Sequence, residues 1–280
     1  MIVFIHASSG ASSGTRQSYA GRFACGSLIP PSGKMAGVRS GVVERTFGLL
    51  DAFESERSLS LSELAARAGL PVNTTLRLAR SLVGVGALER GDDGRFSLGL
   101  HLYELATLAP RGVGLRGASL PYLQHLHELT GAHAMLSVRE GRQTVLIERV
   151  SAPRTARRLE YRVGGRMPLP LTAGGLVLLA SAPADIQDTV VAAFDPRRAM
   201  DGLRSGADLR RSLATIRRTR TVVATRKLDQ VRAAVGVPLL SPTGEAVAAL
   251  SLMMDAPRRR VDSLLPALAM SARAIERDLR

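Results

Sequence analysis

Apolar residues recur along this chain at three- and four-residue spacing in its first third, and with a mixture of helical and two-residue spacing thereafter. The first stripe is Val43, Phe47, Leu50 and Phe53, which predicts a helix over 42–53 whose apolar side closes over the elements that follow. Ser60 and Glu63 then stand in the spacing of a capping box, so hydroxyl and carboxylate can each satisfy a free amide at a helix start. A short helix with Leu64, Ala65 and Ala68 on one side should run from there to Gly69, and Pro71 cannot continue it. A second helix begins at Val72 or Asn73, with Leu78, Leu82 and Val85 on its apolar side and Thr74, Thr75, Arg77 and Arg80 opposite. Residues 87–90 and 95–98 flank Asp93-Gly94, a pair that supplies the positive φ angles of a tight hairpin. Two tightly joined short helices followed by a hairpin read as a winged helix-turn-helix. The face formed by Asn73, Thr74, Thr75, Arg77 and Arg80 suits a DNA major groove, because Thr and Asn bond phosphates or bases and Arg pairs bidentately with guanine. An αα-hairpin with a merely solvated outer side is the other reading of those two helices.

After the hairpin the rhythm is again helical over 100–109, with Leu102, Leu105 and Ala109 on one side, until Pro110, Gly112 and Gly114 predict a hinge. Leu120, Leu123, Leu126 and Leu129 repeat along a helix that ends at Gly131. Strand patterns follow at 134–138, 145–150, 222–225, 233–240 and 246–253, with a further strand expected over 158–163 and a hairpin around Pro242-Thr243-Gly244-Glu245. Helical patterns occupy 184–194, 208–219 and 261–279, and residues 176–180 are wholly apolar. Antiparallel strands flanked by helices predict an α+β domain.

Composition changes the picture in one respect. The net charge is +14, yet residues 39–100 carry 8 basic and 8 acidic side chains, while 101–280 carry 27 and 16. Bulk charge therefore does not locate a DNA site; an acid-free stretch from Leu64 to Leu88, containing Arg67, Arg77 and Arg80, does so locally. One cysteine, Cys25, excludes a disulfide framework and fits a reducing cytoplasm, and no apolar run reaches the ~20 residues that span a bilayer. Residues 1–38 lack any periodic pattern and are expected to be a disordered extension or to lie ahead of the true start, for which Met35 is the candidate.

The strings S-E-L-A-x-R-A-G-L-P, T-x-x-R-L, L-x-x-x-G-x-L-E-R and G-R-F-S-L-G, spread over 62–99, resemble the amino-terminal domain of the IclR-type (isocitrate-lyase-regulator) bacterial transcription regulators. The resemblance implies a winged helix-turn-helix over 39–99, a linker helix and hinge over 100–114 that also joins subunits, and a GAF-like α+β effector-binding domain over 115–280. It places Thr74 and Arg77 in the recognition helix and Arg95 in the wing. It implies a regulator of a catabolic operon, a repressor or dual regulator, acting on double-stranded operator DNA as a homodimer or homotetramer. A small organic acid would lie near Thr172, Ala173 and Gly174 and near Ser251 and Met253 of the last strand. The chain departs from the family pattern at Val72, Pro170, Leu176 and Lys227, where basic, histidine, lysine and acidic residues are common.

Candidate chemistry beyond this is sparse. His125 and His127 are two apart, which on a helix turns them to different faces, so they make no metal pair; the histidines after the wing are expected to be solvent-exposed. No nucleophile elbow and no phosphate-cradling loop with its Lys occurs, so neither enzyme nor cofactor is expected. Two other readings stay open, a carboxy-terminal domain that only assembles subunits and an enzyme with a regulatory appendage.

Overall fold

The computed structural model describes residues 41–54, 56–152, 161–200, 202–227, 231–255 and 262–279. The extension over 1–38, Met35, Cys25 and the first half of the strand expected over 158–163 lie outside the described residues.

Three helices, α1 (Val42–Asp51), α2 (Leu61–Ala68) and α3 (Val72–Gly84), precede a hairpin of β1 (Leu88–Arg90) and β2 (Phe96–Leu98). The capping box forms at α2: Glu63 N–H donates to Ser60 Oγ at 3.3 Å and Ser60 N–H to Glu63 Oε2 at 2.8 Å. Gly69 ends α2 at φ 65°, the left-handed conformation that lets the chain reverse into α3 within three residues. Leu49, Phe53, Leu59, Leu64, Leu78, Leu82, Leu88 and Phe96 form one buried cluster. Three expected apolar positions are not in it. Val43 and Phe47 face outward, Phe47 with 63 % exposure, because α1 packs through its C-terminal end, where Leu49 and Phe53 sit. Val85 caps α3 and is exposed as well.

Helix α4 (Leu100–Ala106) buries no residue of its own. The hinge expected at Pro110 to Gly114 is instead the first turn of α5 (Pro110–Thr130): Pro110 occupies N1, where its missing N–H is no loss, and Gly112 and Gly114 are helical. The break falls just before it, where Ala109 is extended. Leu123 and Leu126 of α5 are fully buried, whereas Leu129 is exposed.

Beyond α5 the chain forms β3 (His133–Glu140), β4 (Gln143–Val150), β5 (Arg166–Pro168), α6 (Ala173–Ala180), α7 (Ala184–Ala192), α8 (Gly206–Thr219), β6 (Val222–Lys227), β7 (Val231–Leu240), β8 (Ala246–Asp255) and α9 (Leu265–Asp278). The six strands make one antiparallel sheet in the order β5-β4-β3-β8-β7-β6. Alternation sends Ala134, Leu136, Val235, Leu250 and Leu252 to one face, against Leu123 and Leu126 of α5 and Leu268 and Ile275 of α9. Ala234 and Ala249 look the other way, toward α6 and α8. The predicted α+β architecture, a winged helix-turn-helix followed by a helix-flanked GAF-like sheet, is the one observed.

Helix α6 is buried along its whole length. Its two glycines serve different ends. A Cβ on Gly174 would meet Ala249 Cβ at 3.5 Å and Ser251 Oγ at 3.6 Å, ordinary contacts, but one on Gly175 would lie 2.2 Å from the Leu169 carbonyl oxygen. Gly175→Ala should therefore destabilise the sheet domain by about 2–3 kcal/mol while Gly174→Ala is tolerated, a contrast that thermal unfolding of the two variants measures directly.

Candidate nucleic-acid interface and effector-binding face

At 100° per residue, α3 turns Asn73, Thr74, Arg77 and Arg80 to one side and Thr75, Leu78, Ala79 and Leu82 to the other. The structure follows this division. Asn73, Arg77 and Arg80 are exposed and Thr74 is half-buried. Neither the Arg77 nor the Arg80 guanidinium has a hydrogen-bond or ion-pair partner among the described residues. Thr75 contradicts its assignment to the DNA face: its exposure is 0 % and its hydroxyl donates to the Pro71 carbonyl at 3.1 Å, so it belongs to the packing of the helix pair. Arg67, in the same acid-free stretch, is held by the Ala52 carbonyl and Glu56.

Arg95 is not a free wing cation either. Its Nε donates to Ser58 Oγ at 3.2 Å, and its Nη2 donates to the Ser58 carbonyl at 3.1 Å and to Glu63 Oε2 at 2.9 Å. Beside it Leu59 and Phe96 exchange both backbone hydrogen bonds, which makes residue 59 a one-residue third strand of the wing. The wing is thus fastened to the capped end of α2, and its orientation relative to α3 follows from that. At its tip Arg90 lies over the Phe96 ring, 5.6 Å from the centroid.

On the sheet, the start of α6 sits over one row of residues. Gly236 of β7 and Met135 of β3 both pair with Ser251 of β8, and a Cβ on Gly236 would press on the Ala173 backbone at 3.2 Å. Thr172 caps α6, its hydroxyl accepting from Gly175 N–H at 2.9 Å, so that group is spent on the helix and the amides of Ala173 and Gly174 are the uncapped donors. Ser251 is buried and Met253 half-buried on the same face. The predicted Thr172, Ala173, Gly174 and Ser251 are therefore brought together, with Met253 one row further along.

Residues outside the expected set join them. The Tyr161 hydroxyl lies 2.9 Å from Thr144 Oγ1, which holds the ring against this face; burial raises its pKa above the ordinary value. Arg149 Nη1 donates to the Tyr161 carbonyl at 2.7 Å. His133, expected at the surface, is buried, and its Nδ1 lies 2.8 Å from Ser151 Oγ. The signal for it was available, since His133 simply extends the alternation of 134–138 by one residue. His101 and His125 are exposed as expected, whereas His127 is half-buried with Nδ1 2.7 Å from the Ala132 carbonyl. Among the described residues no three His, Cys, Asp or Glu side chains gather as a metal site, and no helix is long and apolar enough to cross a membrane.

A winged helix-turn-helix with an unencumbered outer arginine face, joined by helices to a sheet carrying a polar inner face, defines a DNA-binding regulator with a sensor-type domain. Residues 42–92 match the IclR helix-turn-helix domain, and residues 109–277 match the bacterial transcriptional regulator IclR C-terminal domain. The chain belongs to the IclR family of bacterial transcription regulators. It is 25 % identical over 215 residues to the HTH-type transcriptional regulator KipR of Bacillus subtilis, covering 75 % of this chain and 84 % of that one. It is 28 % identical over 218 residues to XynR of Escherichia coli, with the same coverage of 75 % and 84 %. Among solved structures, an IclR homolog from Microbacterium hydrocarbonoxydans, crystallised with 4-hydroxybenzoate, is 30 % identical with a TM-score of 0.76, covering 86 % of this chain and 99 % of its own.

The Glu63 carboxylate is held below its ordinary 4.5 by the Ser60 backbone and hydroxyl donors and then by Arg95. A depressed carboxylate stabilises the fold fully above its unfolded pKa, and that contribution is lost as pH falls through the lower folded value. Glu63→Gln should lower the melting temperature of the amino-terminal domain by a few degrees at pH 7, with the gap to wild type closing below about pH 4 as followed by circular dichroism.

Proposed function

We propose that the chain reads operator DNA through the outer face of α3 and responds to a small organic acid held between the start of α6 and β8. The observation that carries the first half is that the Arg77 and Arg80 guanidinium groups stand exposed beside Asn73 and Thr74 with no protein partner among the described residues. Arginine forks left unengaged on a helix bounded by a fixed wing are suited to guanine edges and phosphates. Arg95 and Thr75 act one layer behind, holding the wing and the helix.

The second half rests on the α6 amides, the Ser251 hydroxyl and the Met253 and Met135 walls, which together offer donors for a carboxylate and apolar contact for its body. The ligand of the Microbacterium relative, 4-hydroxybenzoate, is the first compound to try. Binding changes operator affinity only to the extent that the ligand prefers one arrangement of the two domains.

Two copies would assemble through α4 and the outer side of α1. Leu100, Tyr103, Leu105 and Leu108 around α4 and Val43 and Phe47 on α1 are large apolar side chains left exposed, the kind of residue that a second copy would cover. A two-fold pair of recognition helices then meets two half-sites.

Arg77→Ala should weaken retention of DNA from upstream of the protein's own gene by about tenfold or more, at unchanged thermal stability, in a gel-shift titration. Retention equal to wild type would remove α3 from the groove. Leu105→Glu should convert the dimer to monomer by light scattering and weaken operator binding with it; a variant that stays dimeric would clear α4 of the interface.

A further inference from the structure

The outer side of α3 is not polar throughout. Asn73, Arg77 and Arg80 form its centre, but Val72, Leu76 and Val83 fall within about 40° of one another along one edge of that face. Val72 is 49 % exposed and Val83 36 %, Leu76 is half-buried, and none of the three belongs to the buried cluster of the amino-terminal domain. A β-branched residue gains nothing by standing in water at a helix start, where it also gives up side-chain freedom.

The starts of the two short helices differ as well. Helix α2 opens with a capping box whose carboxylate neutralises its dipole, whereas α3 opens at Pro71 with no side-chain cap and no acid in its first turn. The positive end of α3 is therefore the end left open to a phosphate, and Val72 is its first residue. Val83, at the same edge, stands about 16 Å further along the axis at ~1.5 Å per residue, beyond the Arg77 and Arg80 forks.

We propose that Val72 reads a thymine, its methyl groups packing against the 5-methyl of that base in the major groove, one thymine in each operator half-site. This rests on the α3 reading above and adds to it the identity of a base. Thymine alone carries a methyl group on its major-groove edge. A base that presents only donors or acceptors there would lose water to the valine and receive no hydrogen bond from it, so Val72 selects against such a base as well as for thymine. The leading turn of a recognition helix is the part that reaches base edges, which puts Val72 where Val83 cannot be. Asn73, Arg77 and Arg80 hold the helix by hydrogen bonds and charge, and Val72 supplies the apolar contact that amide and guanidinium groups cannot make.

Exchange of thymine for uracil tests this, because deoxyuridine keeps the base pair and the charge and removes only the methyl. The full chain is titrated by gel shift on DNA from upstream of its own gene, each thymine of the retained stretch being replaced in turn by deoxyuridine. For wild type, one exchange in each half-site should weaken retention about three- to fivefold. Val72→Ser, at an unchanged melting temperature, should bind the unmodified DNA as weakly as wild type binds the uracil DNA, and should no longer respond to that exchange. A wild type indifferent to every exchange, or a response that persists in Val72→Ser, would overturn the assignment without touching the Arg77 reading. Persistence in Val72→Ser together with loss in Thr74→Ser would overturn it in favour of the Thr74 methyl. Failure of wild type to retain the DNA at all would remove both readings.

Discussion

A sheet covered by helices on both faces has no solvent side, so every strand residue must be apolar or have its polar atoms satisfied within the protein. That constraint orders the carboxy-terminal domain. On the side of α5 and α9 it is met by an almost unbroken set of Ala, Val and Leu, with Glu148 as the exception. There a register shift between Leu136 and Ser137 turns Glu148 toward α5, where Arg116 Nε donates to it at 2.6 Å. On the side of α6 the constraint is relaxed along one band, where Ser137, Thr144, Ser251, His133 and Arg149 interrupt the apolar rows. Polar groups are costly there unless partnered, and Thr144 meets the Tyr161 hydroxyl, His133 the Ser151 hydroxyl and Arg149 the Tyr161 carbonyl.

The amino-terminal domain answers a different constraint. With so few residues it can bury only one small cluster, and polar fasteners fix what apolar area does not. Glu63 serves two of them at once, closing the capping box of α2 and receiving Arg95 from the wing. The exposed ion pair contributes little by Coulomb attraction alone. Its value is geometric, since three donors of one guanidinium converge on Ser58 and Glu63 and set the angle of the hairpin. The outer face of α3 is left with cations that have no such duty, and the distinction between Arg95 and Arg77 is between an arginine that builds the scaffold and one that the scaffold presents.

Most elements were legible because their signals are local. The capping box, the Gly69 stop, the Asp-Gly hairpin and the alternation of the long strands each depend on residues within a few positions of one another. The failures have local causes too. Thr75 was grouped with Thr74 by chemistry, although 100° per residue sets it 160° from Arg77, among Leu78 and Leu82. Pro110 has the look of a breaker in sequence, yet its place at N1 makes it a starter. Val43 and Phe47, expected to close over the helix pair, are exposed instead, because periodicity marks an apolar side without saying what covers it. Tyr161, Arg149 and Thr144 come from segments with no motif, and only the pairing of β3, β4 and β8 brings them to the α6 face.

Glu148 and Arg149 are consecutive residues of β4 with opposite allegiances. One is held by Arg116 of α5, the helix that begins at the break after α4; the other faces the polar band and grips the Tyr161 carbonyl. The backbone between them is paired with β3, so a displacement of that stretch of β4 carries both side chains. Arg116 on one face and the Tyr161 carbonyl on the other are thus tied to neighbouring residues of one strand. Reciprocity is what thermodynamics demands of any protein in which ligand and DNA influence each other's binding, since the coupling free energy is one quantity with two readouts. In this fold one peptide bond separates the residue that faces α6 from the residue that holds α5.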